Sequence, residues 1–214
     1  GIAGGRGEKE GDRILNLATK GVRQPGSSIK PLSVYAPAMD FDMIYWSKIF
    51  DDNPVELASE NSAFTSDWPI NHYGTYMGDV TVDYAIRRST NTVAIRVLQL
   101  LTPQVSYDFM VNQLHFTTLV GSGANNDVDR APLGLGALTN GVTVMEMTAA
   151  YQIFDNGGLY YEPYSYSVVY DSEGNVVLEQ NPTPQRVISD DSAEVMNKLL
   201  QRVVNGAQGT GGTA

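Results

Sequence analysis

Ser27 and Lys30 stand three residues apart in Arg23-Gln24-Pro25-Gly26-Ser27-Ser28-Ile29-Lys30-Pro31. On a helix that spacing puts both side chains on one face, with Cβ atoms ~5–6 Å apart. A serine hydroxyl is a poor nucleophile until a base removes its proton, and a lysine of lowered pKa is such a base. Ser89-Thr90-Asn91 follows Ala85-Ile86-Arg87-Arg88. A hydroxyl and a carboxamide two residues apart in a tight connection can face one cleft. There the amide can donate to a carbonyl and accept from an ammonium, and the hydroxyl can pass on a proton. Taken singly, Ser27 and Lys30 would be a cap and a solvated lysine, and Ser89 to Asn91 a plain turn. The two motifs together point to nucleophilic catalysis by a serine.

The elements that must position these groups are read from periodicity and caps. A helix begins near Ser27, with Pro31 confined to its first turn and Ile29, Leu32 and Ala36 facing a core. Residues 37–78 are rich in Pro, Asn, Asp, Ser and Gly and show no clean period. They read as an irregular surface stretch with one short helix at most. Thr81 caps a helix from Val82 to Arg88. A second helix starts near Thr92 with Val93, Ala94, Val97, Leu98 and Leu101 on one stripe. Thr102-Pro103 opens a third, to about Leu114. Thr143-Val144-Met145-Glu146 is a capping box for a helix with Met147, Ala150, Tyr151 and Phe154 inward, ending at Asn156-Gly157-Gly158.

Alternation of Tyr164, Tyr166, Val168 and Tyr170 predicts a strand, joined through Asp171–Asn175 to Val176-Val177-Leu178 as a hairpin packed on a helix. Asp191-Ser192-Ala193-Glu194 caps a last helix whose apolar face is Val195, Met196, Leu199, Leu200 and Val203. Tyr160, Tyr161, Tyr164 and Tyr166 are assigned to that hairpin packing in preference to glycan stacking. Gly121 to Gly123 is a turn.

Composition excludes several classes. The chain has 214 residues, a net charge of −10 and no cysteine. The acidic balance argues against nucleic acid or an anionic membrane surface as the main partner. Without cysteine there are neither disulfides nor thiolate chemistry. No run of ~18 apolar residues is present to span a membrane. His72 and His115 lack metal-ligand spacing, so no metal and no cofactor is expected.

In order and spacing, Arg-Gln-Pro-Gly-Ser-Ser-Ile-Lys-Pro, Ser-Thr-Asn-Thr-Val-Ala, and Leu135-Gly136-Ala137-Leu138-Thr139-Asn140-Gly141-Val142-Thr143 leading to Phe154-Asp155-Asn156-Gly157-Gly158 resemble the transpeptidase domain of class A penicillin-binding proteins. The resemblance runs from about Gly4 to Ala214. It implies an α+β fold of the penicillin-binding/β-lactamase type, a helical region beside an antiparallel sheet. Here it would be mostly the helical part plus a β-hairpin, with much of the central sheet absent.

The expected layout has four parts. They are a sheet-edge segment over 1–20, a helical region with both motifs over 21–160, the hairpin over 161–182, and a helix with a Gly-rich tail over 183–214. The resemblance makes Ser27 the acylated nucleophile and Lys30 its base or network partner. Ser89 becomes the relay toward the leaving D-Ala, Asn91 the residue on the substrate amide and on lysine, and the Ser27 backbone N–H an oxyanion donor.

The sequence departs from the family pattern in one respect: it contains no Lys-Thr-Gly, the strand motif that binds the substrate carboxylate. The chain therefore reads as a piece of a longer polypeptide with one cleft wall missing, anchored in the membrane only through a part upstream. The implied partners are peptidoglycan stem peptides ending in D-Ala–D-Ala and β-lactams, and the implied place is the outer face of the bacterial cytoplasmic membrane. No Glu-x-x-x-Asn that would activate a deacylating water lies between Asn91 and Ala214, so the acyl-enzyme should be long-lived. The rivals are a D,D-carboxypeptidase or β-lactamase hydrolysing the same acyl-enzyme, and a non-catalytic scaffold piece. Helix faces left open by the absent sheet are expected to self-associate.

Overall fold

A computed structural model describes residues 16–57 and 66–212. Of the expected sheet-edge segment over 1–20, residues 1–15 lie outside the described ones. The first described strand, β1 (Val22–Arg23), pairs antiparallel with β4 (Val142–Thr143). The Gln24 amide extends the pairing by two hydrogen bonds. Leu138 N donates to Oε1 at 2.7 Å, and Nε2 donates to Leu138 O at 2.6 Å. The chain then turns at Gly26, whose φ of +55° needs a residue without Cβ.

The Ser27 helix is composite. A 3₁₀ turn over Gly26–Ile29 passes into a π turn over Pro31–Tyr35 and then α1 (Ala36–Asp40). The sequence accounts for this. Pro37 has no N–H, so the Ser33 carbonyl lacks its helical partner and accepts instead from Ser106 Oγ at 2.6 Å. Ser33 Oγ donates to Ile29 O and Leu133 O, at 3.0 and 2.6 Å. Two buried hydroxyls thus fasten this helix to its neighbours.

The described residues between α1 and α2 are largely irregular, as composition predicts, but they are not merely surface; the rest of that stretch, 58–65, lies outside the described residues. β2 (Ile49–Asp51) pairs antiparallel with β3 (Asp79–Thr81), and Asp52 and Asn71 are fully buried. α2 (Val82–Arg88) starts at the predicted Thr81 cap, whose hydroxyl accepts from Tyr84 N. α3 (Asn91–Leu101) buries Val93, Ala94, Val97, Leu98 and Leu101, the predicted stripe. α4 (Pro103–Asn112) begins at the predicted Thr102-Pro103.

α5 (Arg130–Leu135) is absent from the sequence reading because Pro132 and Gly134 break its pattern. Gly134 is what lets α5 approach α3: a Cβ there would stand 2.6 Å from Ile95 Cδ1. α6 (Val144–Tyr151) carries the predicted capping box of Thr143 and Glu146 and continues as a 3₁₀ turn over Gln152–Phe154. β5 (Leu159–Tyr160) pairs with β8 (Gln185–Arg186).

Two expectations are corrected. The hairpin forms as β6 (Val168–Tyr170) and β7 (Val176–Glu179), shorter than the alternation predicts, and it is not packed on a helix. Val176, Val177 and Leu178 are 55%, 57% and 50% exposed, so alternation here reflects β propensity without burial. Tyr160 is buried beside His115, whereas Tyr164 lies exposed. The last helix, α7 (Asp190–Asn205), is capped two residues earlier than read: the Ser189 hydroxyl accepts from Ser192 N.

The core is one cluster, joining the Ser27 helix (Ile29, Leu32, Tyr35) to α3, α4, α5 and α7. On the far side, α7 packs on α2, and Arg202 pairs with buried Asp83 at 3.1 Å. The Gly-rich segment after α7 folds back on the end of α2. Arg87 donates to Ala207 O, Arg88 donates to Gln208 O at 3.1 Å, and Thr210 N donates to Arg87 O at 3.3 Å. Helices beside short antiparallel pairs make the fold α+β. Among the described residues no helix is long and apolar enough to cross a membrane.

Candidate active site

Lys30 is 2% exposed, an unusual state for an ammonium. Its Nζ donates to Asn91 Oδ1 at 2.6 Å, to Ser89 O at 2.9 Å and to Ser89 Oγ at 3.3 Å. The three partner atoms come from Ser89, in the connection between α2 and α3, and from Asn91, the first residue of α3. Ser89 sits in the left-handed region, φ 55° and ψ 42°, which costs a non-glycine residue of order 1–3 kcal/mol. That conformation ends α2 sharply and turns both the carbonyl and the hydroxyl of Ser89 toward Lys30. Asn91 is oriented without ambiguity: its Nδ2 donates to Ile70 O at 2.7 Å, so Oδ1 must face the lysine.

Ser27 is exposed at the start of the composite helix. It lines a cavity of about 280 Å³ together with Lys30, Ser89, Tyr35, Tyr151 and Thr210. Two contacts fix its turn. Tyr151 OH donates to Ser28 O at 2.6 Å, and Ser28 Oγ donates to Pro25 O at 2.7 Å. Behind it, Gly136 presses on the turn so closely that a Cβ would stand 2.1 Å from Gly26 O. The structure thus brings Lys30, Ser89 and Asn91 into direct contact and sets Ser27 on the same cavity. His72 is exposed and His115 bonds Gln185; neither joins a metal-binding cluster among the described residues.

Burial lowers the Lys30 pKa from 10.5 to about 7. Near neutral pH a large share of the amines is therefore uncharged. A neutral amine has two N–H donors and one lone pair. Asn91 Oδ1 and Ser89 O can take the two donors, which leaves the lone pair to accept a hydroxyl proton. Burial also raises the pKa of Tyr35 and of Tyr151, so both phenols stay protonated.

The sequence reading missed the support beneath Asn91. Asn71 Oδ1 accepts from Asn91 N at 2.8 Å, and Asn71 Nδ2 donates to Asp52 at 2.7 Å. The Asp52 carboxylate also accepts from Thr92 Oγ1, from Tyr73 OH at 3.1 Å and from Met77 N at 3.1 Å. The one hint was a concentration of Asp, Asn and Tyr in a stretch without period.

A family model for the penicillin binding protein transpeptidase domain matches residues 4–214. The chain belongs to the penicillin-binding protein transpeptidase family. It is 35% identical to penicillin-binding protein 1A of Clostridium acetobutylicum over 219 residues, covering 100% of this chain and 26% of that protein. Penicillin-binding protein 4 of Bacillus subtilis is 32% identical over 208 residues, 97% of this chain and 31% of that protein. The chain thus spans roughly a quarter to a third of the curated relatives it matches.

Among solved structures, penicillin-binding protein 1A from Haemophilus influenzae superposes with a TM-score of 0.73 at 26% identity, over 91% of this chain and 32% of that one. The D,D-transpeptidase domain of a peptidoglycan glycosyltransferase from Eggerthella lenta gives 0.71 at 18% identity, over 94% and 53%, a likeness of fold.

Proposed function

We propose that the protein to which these residues belong is a serine D,D-transpeptidase that cross-links peptidoglycan stem peptides on the outer side of the cytoplasmic membrane. The observation that carries this reading is a buried lysine amine of lowered pKa held between Ser89 and Asn91 on the cavity that Ser27 lines. Membership of the transpeptidase family supports it.

The chemistry balances on these groups. Ser27 Oγ attacks the carbonyl of the penultimate D-Ala as its proton passes to Lys30 Nζ. The tetrahedral oxyanion collapses, the C–N bond breaks, and the proton reaches the departing D-Ala amine through Ser89 Oγ. Asn91 holds the donor peptide's amide. An amine of a second stem peptide then attacks the ester, gives up its proton to the same relay and frees Ser27, a ping-pong exchange. A β-lactam follows the first half of this path, its ring C–N bond opening as the ester forms. These 214 residues contain no Lys-Thr-Gly, so the substrate carboxylate has no assigned partner among them.

The test is labelling with a fluorescent penicillin, followed by denaturing electrophoresis. It is run on this chain and on a polypeptide extended to the length of the relatives. Ser27-dependent covalent label is expected on the extended protein, and Ser27→Ala should abolish it. Label that persists in Ser27→Ala would overturn the assignment of the nucleophile. Product analysis with and without an acceptor amine then separates transfer from hydrolysis.

A further inference from the structure

We propose that Asp52 is a positioning residue for this site, setting the orientation of Asn91 through Asn71 and thereby holding Lys30 in its dry, three-acceptor environment. The inference rests on the reading of Lys30 as the proton acceptor for Ser27.

Asp52 is 0% exposed and accepts four hydrogen bonds. An ordinary structural carboxylate could do as much. What distinguishes this one is where its partners lead. Thr92 is the residue after the Ser89-Thr90-Asn91 motif and bonds Asp52 directly. Tyr73 OH lies 3.2 Å from Thr90 Oγ1. Asn71 holds the backbone of Asn91, and its neighbour Ile70 holds the Asn91 side chain. The second and third residues of the motif are thus fixed by partners that Asp52 bonds, Tyr73 and Asn71, and by Ile70 next to Asn71 in the chain.

The donor and acceptor pattern permits one arrangement. Asn71 Nδ2 faces two acceptors, Asp52 and Thr75 O, so its Oδ1 must point at Asn91 N. Asn91 Nδ2 faces Ile70 O, so its own Oδ1 must point at Lys30. Rotating either amide sets donor against donor. Should the chain of residues 70–77 loosen, Asn91 is free to turn and water gains access to the amine. Loss of the Asn91 acceptor alone would lower the Lys30 pKa, but relief of burial, the cause of its lowered pKa, is the larger effect and raises it. Titratable groups facing Lys30 include His72, itself beside Arg88, together with Tyr35 on its own helix and Tyr151 across the cavity. Through the hydrogen-bonded chain, Asp52 acts by geometry.

The experiment follows the Lys30 amine by NMR titration of labelled lysine, assigned by its loss in Lys30→Met. In parallel, the pH dependence of penicillin acylation is followed in the extended protein. Asp52→Asn leaves one oxygen for four donors, so its NH2 must face either Asn71 Nδ2 and Thr92 or Tyr73 and Met77 N. Asn71→Asp sets two carboxylates face to face. Each should move the Lys30 midpoint upward by ~1 unit or more, which lowers the neutral fraction at pH 7 from about a half to about a tenth, roughly 5-fold. The double variant Asp52→Asn/Asn71→Asp reverses the polarity of the bond and keeps an acceptor for Asn91 N. It should restore most of the shift. Tyr73→Phe removes one donor only and should give a smaller shift in the same direction, which keeps the test open if a polar swap does not fold.

Single variants that lose stability but keep the wild-type midpoint, or a double variant no better than the singles, would overturn the proposal. If the midpoint moves as expected but no variant and no wild-type protein is acylated, the positioning role stands and the transpeptidase reading falls.

Discussion

Replacing Lys30 by Met tests the buried amine without recourse to any substrate. Burial lowers its pKa from 10.5 to about 7. The unfolded chain therefore binds more protons than the folded one between those values, and stability must rise with pH across that window. Summed over the window, the penalty for burying the amine approaches ~5 kcal/mol, since each unit is about 1.4 kcal/mol. Between pH 6 and pH 9 alone the wild type should gain ~2–3 kcal/mol relative to Lys30→Met. The hydrogen bonds lost to Ser89 and Asn91 add an offset, but that offset does not vary with pH in the same way. The assay is urea unfolding of both proteins at pH 6, 7, 8 and 9, with the difference in free energy plotted against pH. Tyr35 and Tyr151 titrate above this range and largely cancel in the difference. A flat difference would refute the reasoning, because it would mean that Lys30 titrates as it would in water.

Other outcomes follow from single contacts. Gly136→Ala forces a Cβ onto Gly26 O from a backbone at φ +76°, and should cost at least ~2 kcal/mol in thermal unfolding and reduce penicillin labelling of Ser27. Glu146 is buried, which would raise its pKa, but hydrogen bonds from Thr143 and Thr117 outweigh burial and hold it low. Its contribution is present above the ordinary carboxyl range and lost as pH falls through the folded value. Glu146→Gln should cost ~1–3 kcal/mol at pH 7 and less in acid, measured by denaturant titration. The bare hairpin should make the chain associate in sedimentation experiments. Val177→Lys should reduce that association while changing stability by no more than ~0.5 kcal/mol. A monodisperse wild-type chain would refute the last expectation.

Caps and short motifs were the parts most legible in sequence. Thr81, Thr102-Pro103 and the Thr143–Glu146 box all start helices, because each rests on interactions within four residues. Ser27, Lys30, Ser89 and Asn91 could be named as candidates because two local spacings sit in a familiar order. What could not be read depends on distant partners. Asp52 and Asn71 look like solvated residues until β2 and the loop to Met77 are folded against α3. The α5 helix hides behind Pro132 and Gly134, whose use is the close approach to Ile95. The hairpin was misread in the opposite sense, because alternation shows that a strand could be covered without showing that anything covers it.

The Gly-rich segment after α7 is tied by Arg87, Arg88 and Thr210 to the last turn of α2, directly before Ser89. Ser89 in turn holds the lysine amine. The two ends of this linkage behave as a lever with a short arm: a pull on residues 207–210 is delivered within one or two residues to the carbonyl that Lys30 grips. How the cleft is entered from that side and how sharply the amine is tuned are therefore mechanically joined, and a change that relaxes one will be felt by the other.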